Sequence, residues 1–480
     1  MKMLIDGKHV DAKNNAVIEI LNSATQEKLD SIPAATEEDV LSAIAAAQAG
    51  KETWGAMPQY KRSEILIKCA DAIEAHLEEL SRMLSTEMGK IISEARAEVA
   101  CSAQIFRGFA EMANHLYGQT MSEYQKGSET DIIFTKYEPL GVVACITPFN
   151  YPVELCYHKA VAALAAGNAV IIKPATDNPM TIIRVAELCW EAGVPGNAIQ
   201  VVTGSGSEIG GILSSSKDID AISLTGSTEV GLTVASAAAQ TLKHVFLELG
   251  GNDPLIVFGD ADMRLAVSEA VWGRLKNAGQ TCCAPKRFIV HSSVVEEFTE
   301  EVIKTLKHIK LGSPLSEDTE LGSLINVRAA EQVLSQVEHT VAQGAKCIYG
   351  GKPYDKTYFE PTVLTGVTKN MDIATHLEVF GPIFPIIAFD TFEEAIEIAN
   401  CTPYGLQAGV ITNDFSQAIR AASKIKCGAV VINGSGNYRN VDQPFGGVKM
   451  SGLGREGISC TLTEMTQVKS YILKNIMVDS

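Results

Sequence analysis

Apolar positions recur along this chain in two alternating rhythms. Residues 37–50 and 61–116 carry apolar side chains at helical spacing, with Ala, Leu, Glu and Lys dominant, and they predict helix. A β-rich run follows at 142–146, then the turn Thr147-Pro-Phe-Asn-Tyr-Pro152, then a helical pattern over 152–166. The alternation continues with a strand at 169–172, a helix at about 179–193, and a short strand at Val201 and Val202 ended by Gly204. A further strand at 221–224 is ended by Thr225 and Gly226. Past Gly250 the rhythm restarts with strand 255–257, helix 261–278, strand 288–290 and helix 294–308, and further units run to about Asn433. Strands alternating with helices predict right-handed βαβ units, parallel sheets and an α/β fold. Two β-like stretches, 129–138 and 466–474, fit neither series. Exposed strands find partners, so both are expected to form an oligomerisation arm.

The length of 480 residues is too great for one small core and predicts two or three domains. A net charge of −17 argues against nucleic acid or an anionic membrane as the main partner. The opening MKMLIDGKHVDAKN has no apolar signal segment. The most apolar stretch, 160–172, is broken by Gly167 and Asn168 and is shorter than the roughly 20 residues a bilayer span needs. Eleven scattered cysteines without repeated CxxC spacing suggest neither a disulfide framework nor a zinc site, and fit a reducing cytoplasm.

Several segments carry candidate chemistry. In Asn277-Ala-Gly-Gln-Thr-Cys-Cys-Ala284, a cysteine after a glycine turn at a helix end can be accessible and near backbone N–H groups, as a thiolate nucleophile requires. A buried, inert thiol is the plainer alternative. Glu248 lies in the apolar run Val245-Phe-Leu-Glu-Leu-Gly-Gly-Asn252. Desolvation there would raise its pKa and suit a general base, unless it sits on a wet edge or pairs with a buried cation. Asn150 could donate to an oxyanion or serve only its turn. Thr225-Gly-Ser-Thr-Glu-Val-Gly231 joins a strand to a helix start that can attract phosphate, or Ser227 is a plain cap. Gly204-Ser-Gly-Ser-Glu-Ile-Gly210 misses the GxGxxG spacing by one, which excludes an ordinary Rossmann fingerprint. Lys173 follows a strand, at the end where open α/β sheets bind ligands, or is simply solvated.

Taken together and in order, TPFNYP, IIKPAT, LTGSTEVG, LELGGNDP, GQTCCA, EVFGP and PFGGVKMSGLGREG resemble the aldehyde dehydrogenase superfamily over essentially the whole chain. The resemblance implies a cofactor-binding domain from 1–118 and 139–250, a catalytic domain from 251–447, and an arm from 119–138 and 460–480. It implies Cys282 as nucleophile, Asn150 and the Cys282 N–H as oxyanion donors, and Glu248 as the base that activates water. Lys173, Gly226, Ser227, Gly231, Glu378 and Phe380 match positions that hold NAD or NADP. Thr176 stands where many NAD-preferring relatives carry Glu, and its neutral hydroxyl would admit the NADP 2′-phosphate. No metal is implied. The expected reaction is oxidation of a small aldehyde to its acid through a thioester, in a homodimer or homotetramer. Family topology would put Arg107, His158 and Arg439 at the substrate mouth. Basic groups there suit a semialdehyde, lactaldehyde or a phosphono- or sulfo-aldehyde. Two alternatives are an acylating enzyme that passes the thioester to coenzyme A, and a cofactor-free thiol hydrolase. Glu248 weighs against the first, LTGSTEVG and IIKPAT against the second.

Overall fold

A computed structural model describes residues 1–122 and 125–476. Residues 123–124 and 477–480, inside the expected arm, lie outside the described residues. The fold is α/β, with two large sheets and, among the described residues, three smaller ones of two or three strands. In the first large sheet the strands Ile199–Val201, Ala169–Lys173, Val142–Ile146, Ala221–Thr225 and His244–Glu248 are neighbours in that order, and all are parallel. Burial on both faces explains their unbroken apolar runs: every residue of Ala169–Lys173 and Ala221–Thr225 is buried. Helix Pro152–Ala166 starts with Pro in its first turn and ends at Gly167, which takes the left-handed conformation at φ 100°.

The second large sheet contains the parallel strands Thr362–Thr365, Ile383–Phe389, Pro285–His291, Asp253–Val257, Gln407–Ile411 and Ala429–Ile432, with Lys346–Tyr349 antiparallel at one edge. Each sheet has its own apolar core. Trp54, Phe106, Phe109 and Tyr157 belong to one, and Phe288, Phe298 and Phe384 to the other.

Three sequence expectations change. The helical run 61–116 is broken into Gln59–Ala75, Leu77–Met88 and Ile92–Met112. Gly89, at φ 85°, ends the second of these in a left-handed turn. The two isolated β stretches are each other's partner: Thr466–Leu473 pairs antiparallel with Ile132–Pro139, and Thr120–Met121 adds a third strand. The periodicity also passed over the short N-terminal strands Met3–Ile5, Lys8–Val10, Val17–Leu21 and Lys28–Pro33.

A two-residue strand from the far end of the chain closes the first sheet. Gly452–Leu453 runs antiparallel beside His244–Glu248, pairing Gly452 with Glu248. Gly452 sits at φ 148°, and a Cβ there would lie 2.2 Å from the Leu247 carbonyl oxygen. The SGLG segment is therefore glycine at this position by contact as well as by conformation. Among the described residues, no helix is long and apolar enough to cross a membrane.

Candidate active site

Parallel strands end on one side of a sheet, so the loops that leave them converge. Here that side receives Asn150 after Val142–Ile146, Lys173 and Thr176 after Ala169–Lys173, Gly226 and Ser227 after Ala221–Thr225, and Glu248 itself. The cysteine turn comes from the other sheet's domain. Helix Met263–Leu275 stops, and Asn277, Ala278 and Gly279 all take left-handed conformations at φ 52°, 54° and 78°. A run of positive φ with only one glycine is costly and persists only where its surroundings impose it. Gly279 is wedged against the EVFGP segment, where a Cβ would lie 2.3 Å from the Gly381 carbonyl oxygen.

Cys282, half-buried, lines a cavity of about 350 Å³ with Tyr151, Trp272, Lys276, Arg439 and Phe445. Cys283 is buried behind it, with its Sγ 3.6 Å from Asn437 Oδ1. Cys282 and Cys283 are adjacent thiols whose ionisation is shifted in opposite directions. The neighbouring Cys282 and then the Lys286 charge lower the Cys283 thiol, to about 7, while Cys283 and burial push the Cys282 thiol well up.

Glu248 ends its strand buried, and neither carboxylate oxygen has a hydrogen-bond partner. Burial, and then the negative charge of Glu456, push its pKa up to about 8. Glu456 is also buried, but Lys159 and Arg439 hold it ionised. Its carboxylate bonds to the Lys159 ammonium and, at 2.7 Å, to Arg439 Nη2. A fixed negative charge beside a carboxyl group that prefers to stay neutral is an acid–base arrangement.

Asn150 is buried, with its side-chain oxygen unpartnered. Its backbone carbonyl accepts from Lys90 Nζ and from Asn277 Nδ2, each at 2.9 Å. Lys90 pairs with Glu98, both side chains fully buried, and Glu98 Oε1 also accepts the Val153 N–H at the start of helix Pro152–Ala166. Lys90, Glu98 and Asn277 thus lock the asparagine turn to the cysteine turn. Periodicity gave no hint of them, because Lys90 and Glu98 stand in a helical region where a charge ordinarily faces water.

A dinucleotide fits the remaining residues. Lys173 is buried and spends one of its three donors on the Pro174 carbonyl, at 3.0 Å. Burial lowers its pKa to about 8. Thr176 Oγ1 donates to the Gly204 carbonyl, at 3.2 Å. Ser227 caps helix Thr228–Ala239, accepting from the Val230 N–H. Gly231 lies one turn into that helix, where a Cβ would meet Leu249 Cδ2 at 2.5 Å. Its lack of a side chain lets the helix pack closely on Leu249. Glu378 Oε1 accepts the Gly251 N–H at 2.9 Å, and Glu378 Oε2 would lie 2.3 Å from a Cβ on Gly250. The Phe380 ring packs on Phe149 with centroids 6.2 Å apart.

Two expected substrate residues lie elsewhere. Arg107 is on the surface, bound to Asp71 and Glu74 at 2.7 Å each. Its helix turns it away from the cavity, and the two carboxylates occupy its guanidinium. His158 is a core residue, edge-on to Phe109, with neither ring nitrogen hydrogen-bonded. Burial lowers its pKa to about 3, so it is neutral and offers no cation to an anion. Arg439 does line the cavity, paired with Glu456 and 3.8 Å from Glu154, with its guanidinium 4.4 Å from the Phe445 ring centroid. Sequence reasoning missed Lys276. Its ammonium lies 5.4 Å from the Trp272 ring centroid and 5.8 Å from that of Tyr151, and among the described residues no carboxylate pairs with it. A lysine next to the Asn277 turn was the available signal.

Glu248 takes up a proton only after losing its own, so its base form grows as pH rises through about 8. Infrared difference spectra against pH should show a protonated carboxyl band that is lost as pH rises through about 8 and is missing from Glu248→Gln. A band unchanged in Glu248→Gln, or already absent at about pH 6, contradicts it.

Residues 9–471 match the model of the aldehyde dehydrogenase family. The chain is 40% identical over 458 residues to 3-sulfolactaldehyde dehydrogenase of Priestia aryabhattai, covering 95% of this chain and 94% of the relative. It is 37% identical over 478 residues to a lactaldehyde dehydrogenase of Methanococcus maripaludis, covering 99% and 100%. The crystal structure of Staphylococcus aureus betaine aldehyde dehydrogenase in complex with NAD+ superposes with a TM-score of 0.95 at 35% identity, covering 99% of this chain and 97% of that one. The chain belongs to the aldehyde dehydrogenase family and is an NAD(P)-dependent enzyme that oxidises small aldehydes to acids.

Proposed function

We propose that Cys282 is the nucleophile and Glu248 the base, acting on a small aldehyde with an anionic or hydroxylated tail. The observation that carries this reading is Glu248: a buried carboxylate with no hydrogen-bond partner, close enough to Cys282 for its charge to bear on the thiol. The Cys282 thiolate adds to the aldehyde carbon, forming a C–S bond and an alkoxide. The Asn150 side-chain amide and the Cys282 N–H donate to that alkoxide. Lys173, Ser227, Glu378 and Phe380 would hold a nicotinamide dinucleotide, whose chemistry when bound would be to accept a hydride. The thioester left on Cys282 is attacked by water whose proton passes to Glu248; the C–S bond breaks and the acid departs. The sheet bearing Glu248 forms the core of the cofactor-binding domain, and the sheet beginning at Asp253 that of the catalytic domain.

The cavity size and two of its lining groups bear on the substrate. About 350 Å³ suits a compact aldehyde, and Lys276 and Arg439 offer cations to its tail. The curated relatives include enzymes named for 3-sulfolactaldehyde, lactaldehyde and glutarate semialdehyde. Absorbance of reduced nicotinamide with a panel of aldehydes, with and without coenzyme A, tests the reading. Cys282→Ala should be inactive on all of them. Lys276→Met should raise KM for a sulfonated or carboxylated aldehyde by about tenfold and leave propanal little changed. Equal effects on charged and neutral aldehydes remove the anionic tail; an active Cys282→Ala removes the mechanism.

Thr176 itself brings no carboxylate to Lys173, although the Asp177 charge bears on that ammonium, so the repulsion a glutamate at position 176 would add against a 2′-phosphate is absent. NADP should therefore be used at least as well as NAD, judged by kcat/KM with each; a strong NAD preference would refute it.

The three-stranded sheet leaves Val468, Ile472 and Leu473 exposed along an edge strand. Such an edge suits pairing with a second copy of the chain. Light scattering should read a dimer or tetramer, and a monomer at micromolar concentration would count against the arm.

A further inference from the structure

Lys286 is the second residue of strand Pro285–His291, and its side chain is about 1% exposed. Burying an ammonium costs several kcal/mol unless all its donors find acceptors. Here the acceptors are specific. Nζ donates to the carbonyl oxygen of Thr281 at 2.9 Å and to that of Cys282, and lies 3.4 Å from Glu378 Oε1. It also sits 5.4 Å from the Phe380 ring centroid. The other charged or titratable groups facing this cluster include Asp253, Cys283 and Glu248 on the nucleophile side, and Arg274 and Tyr404 beside Glu378.

The Thr281 carbonyl and the Cys282 N–H belong to one peptide unit. That unit is planar and trans, so its oxygen and its hydrogen point in opposite directions. Fixing the oxygen therefore aims the hydrogen. A cation on the oxygen also draws electron density from the nitrogen and strengthens the N–H as a donor.

We propose that Lys286 is a positioning residue that orients and polarises the Cys282 N–H for the alkoxide of the Cys282 adduct. It ties that peptide to Glu378, so one ammonium registers the nucleophile turn against the cofactor carboxylate. This rests on the Cys282 reading above. A buried lysine that merely neutralised Asp253 and Glu378 would have no need of two carbonyls from the nucleophile's own turn.

The test is the first-turnover rate of nicotinamide reduction after rapid mixing with propanal at saturating dinucleotide. Lys286→Met keeps most of the stem and removes all three donors. Its first-turnover rate should fall about ten- to a hundredfold, with KM for propanal within about twofold of the parent value. Lys286→Arg, which keeps a cation, should recover part of the rate. If Lys286→Met does not fold, Lys286→Gln, whose shorter amide cannot span the three acceptors, is read by the same two quantities. An unchanged first-turnover rate, or a loss that falls equally on rate and propanal KM, overturns the proposal. A Cys282→Ala control separates the two ideas: if it is inactive while the Lys286 variants are silent, only the Lys286 role fails.

Discussion

The site depends on a parallel ladder. Thr225 lies in register with Glu248, and both strands stop at the same level of the sheet. The backbone then leaves through Gly226 on one side and Gly250 on the other, with the Gly226 N–H donating to the Glu248 carbonyl at 3.1 Å. Because parallel strands present their carboxyl ends together, one edge of the sheet gathers a phosphate-type helix start, a lysine and an acid–base carboxyl group. Moving the His244–Glu248 strand by one residue would turn Glu248 to the opposite face.

Glu248 is held neutral by what surrounds it. Apolar burial raises its pKa, and the ionised Glu456 adds to the effect. Glu456 keeps its own charge because Lys159 and Arg439 flank it. Charge at this end of the cavity is thus balanced in a row, and Arg439 belongs to that row as well as to the cavity wall. A substrate tail that takes Arg439 competes with Glu456 for it. Among the described residues no carboxylate is bonded to the Lys276 ammonium, although Glu94 lines the same cavity and feels its charge.

Across the cavity, the two reacting loops are joined by buried polar groups. Lys90 and Asn277 converge on the Asn150 carbonyl, and Lys286 reaches from the Cys282 turn to Glu378. Each replaces water that a loop would otherwise carry and fixes the loop relative to the other sheet. Glycines allow the close approach: Gly251 leaves room for the Cys282 carbonyl, where a Cβ would come within 2.9 Å, and Gly279 leaves room for Gly381. Such preorganisation lets donors meet a developing charge without rearranging.

The sequence alone determined the strand–helix alternation, the helix at 152–166, and the order of the TPFNYP, LELGGNDP and GQTCCA segments. Apolar periodicity and glycine spacing are local, and the segments that carry chemistry are contiguous. Family resemblance could name Cys282, Glu248 and Asn150 for the same reason. Tertiary structure alone decided which distant charges meet. Arg107 and Lys276 look alike on paper, yet helix Ile92–Met112 turns the first toward Asp71 and Glu74, while the end of helix Met263–Leu275 sets the second beside the cavity. The pairing of Thr466–Leu473 with Ile132–Pro139, and the closure of the first sheet by Gly452–Leu453, were likewise invisible, since each joins segments hundreds of residues apart. A charge's role is set by the partners that packing brings to it, and packing is not written in local spacing.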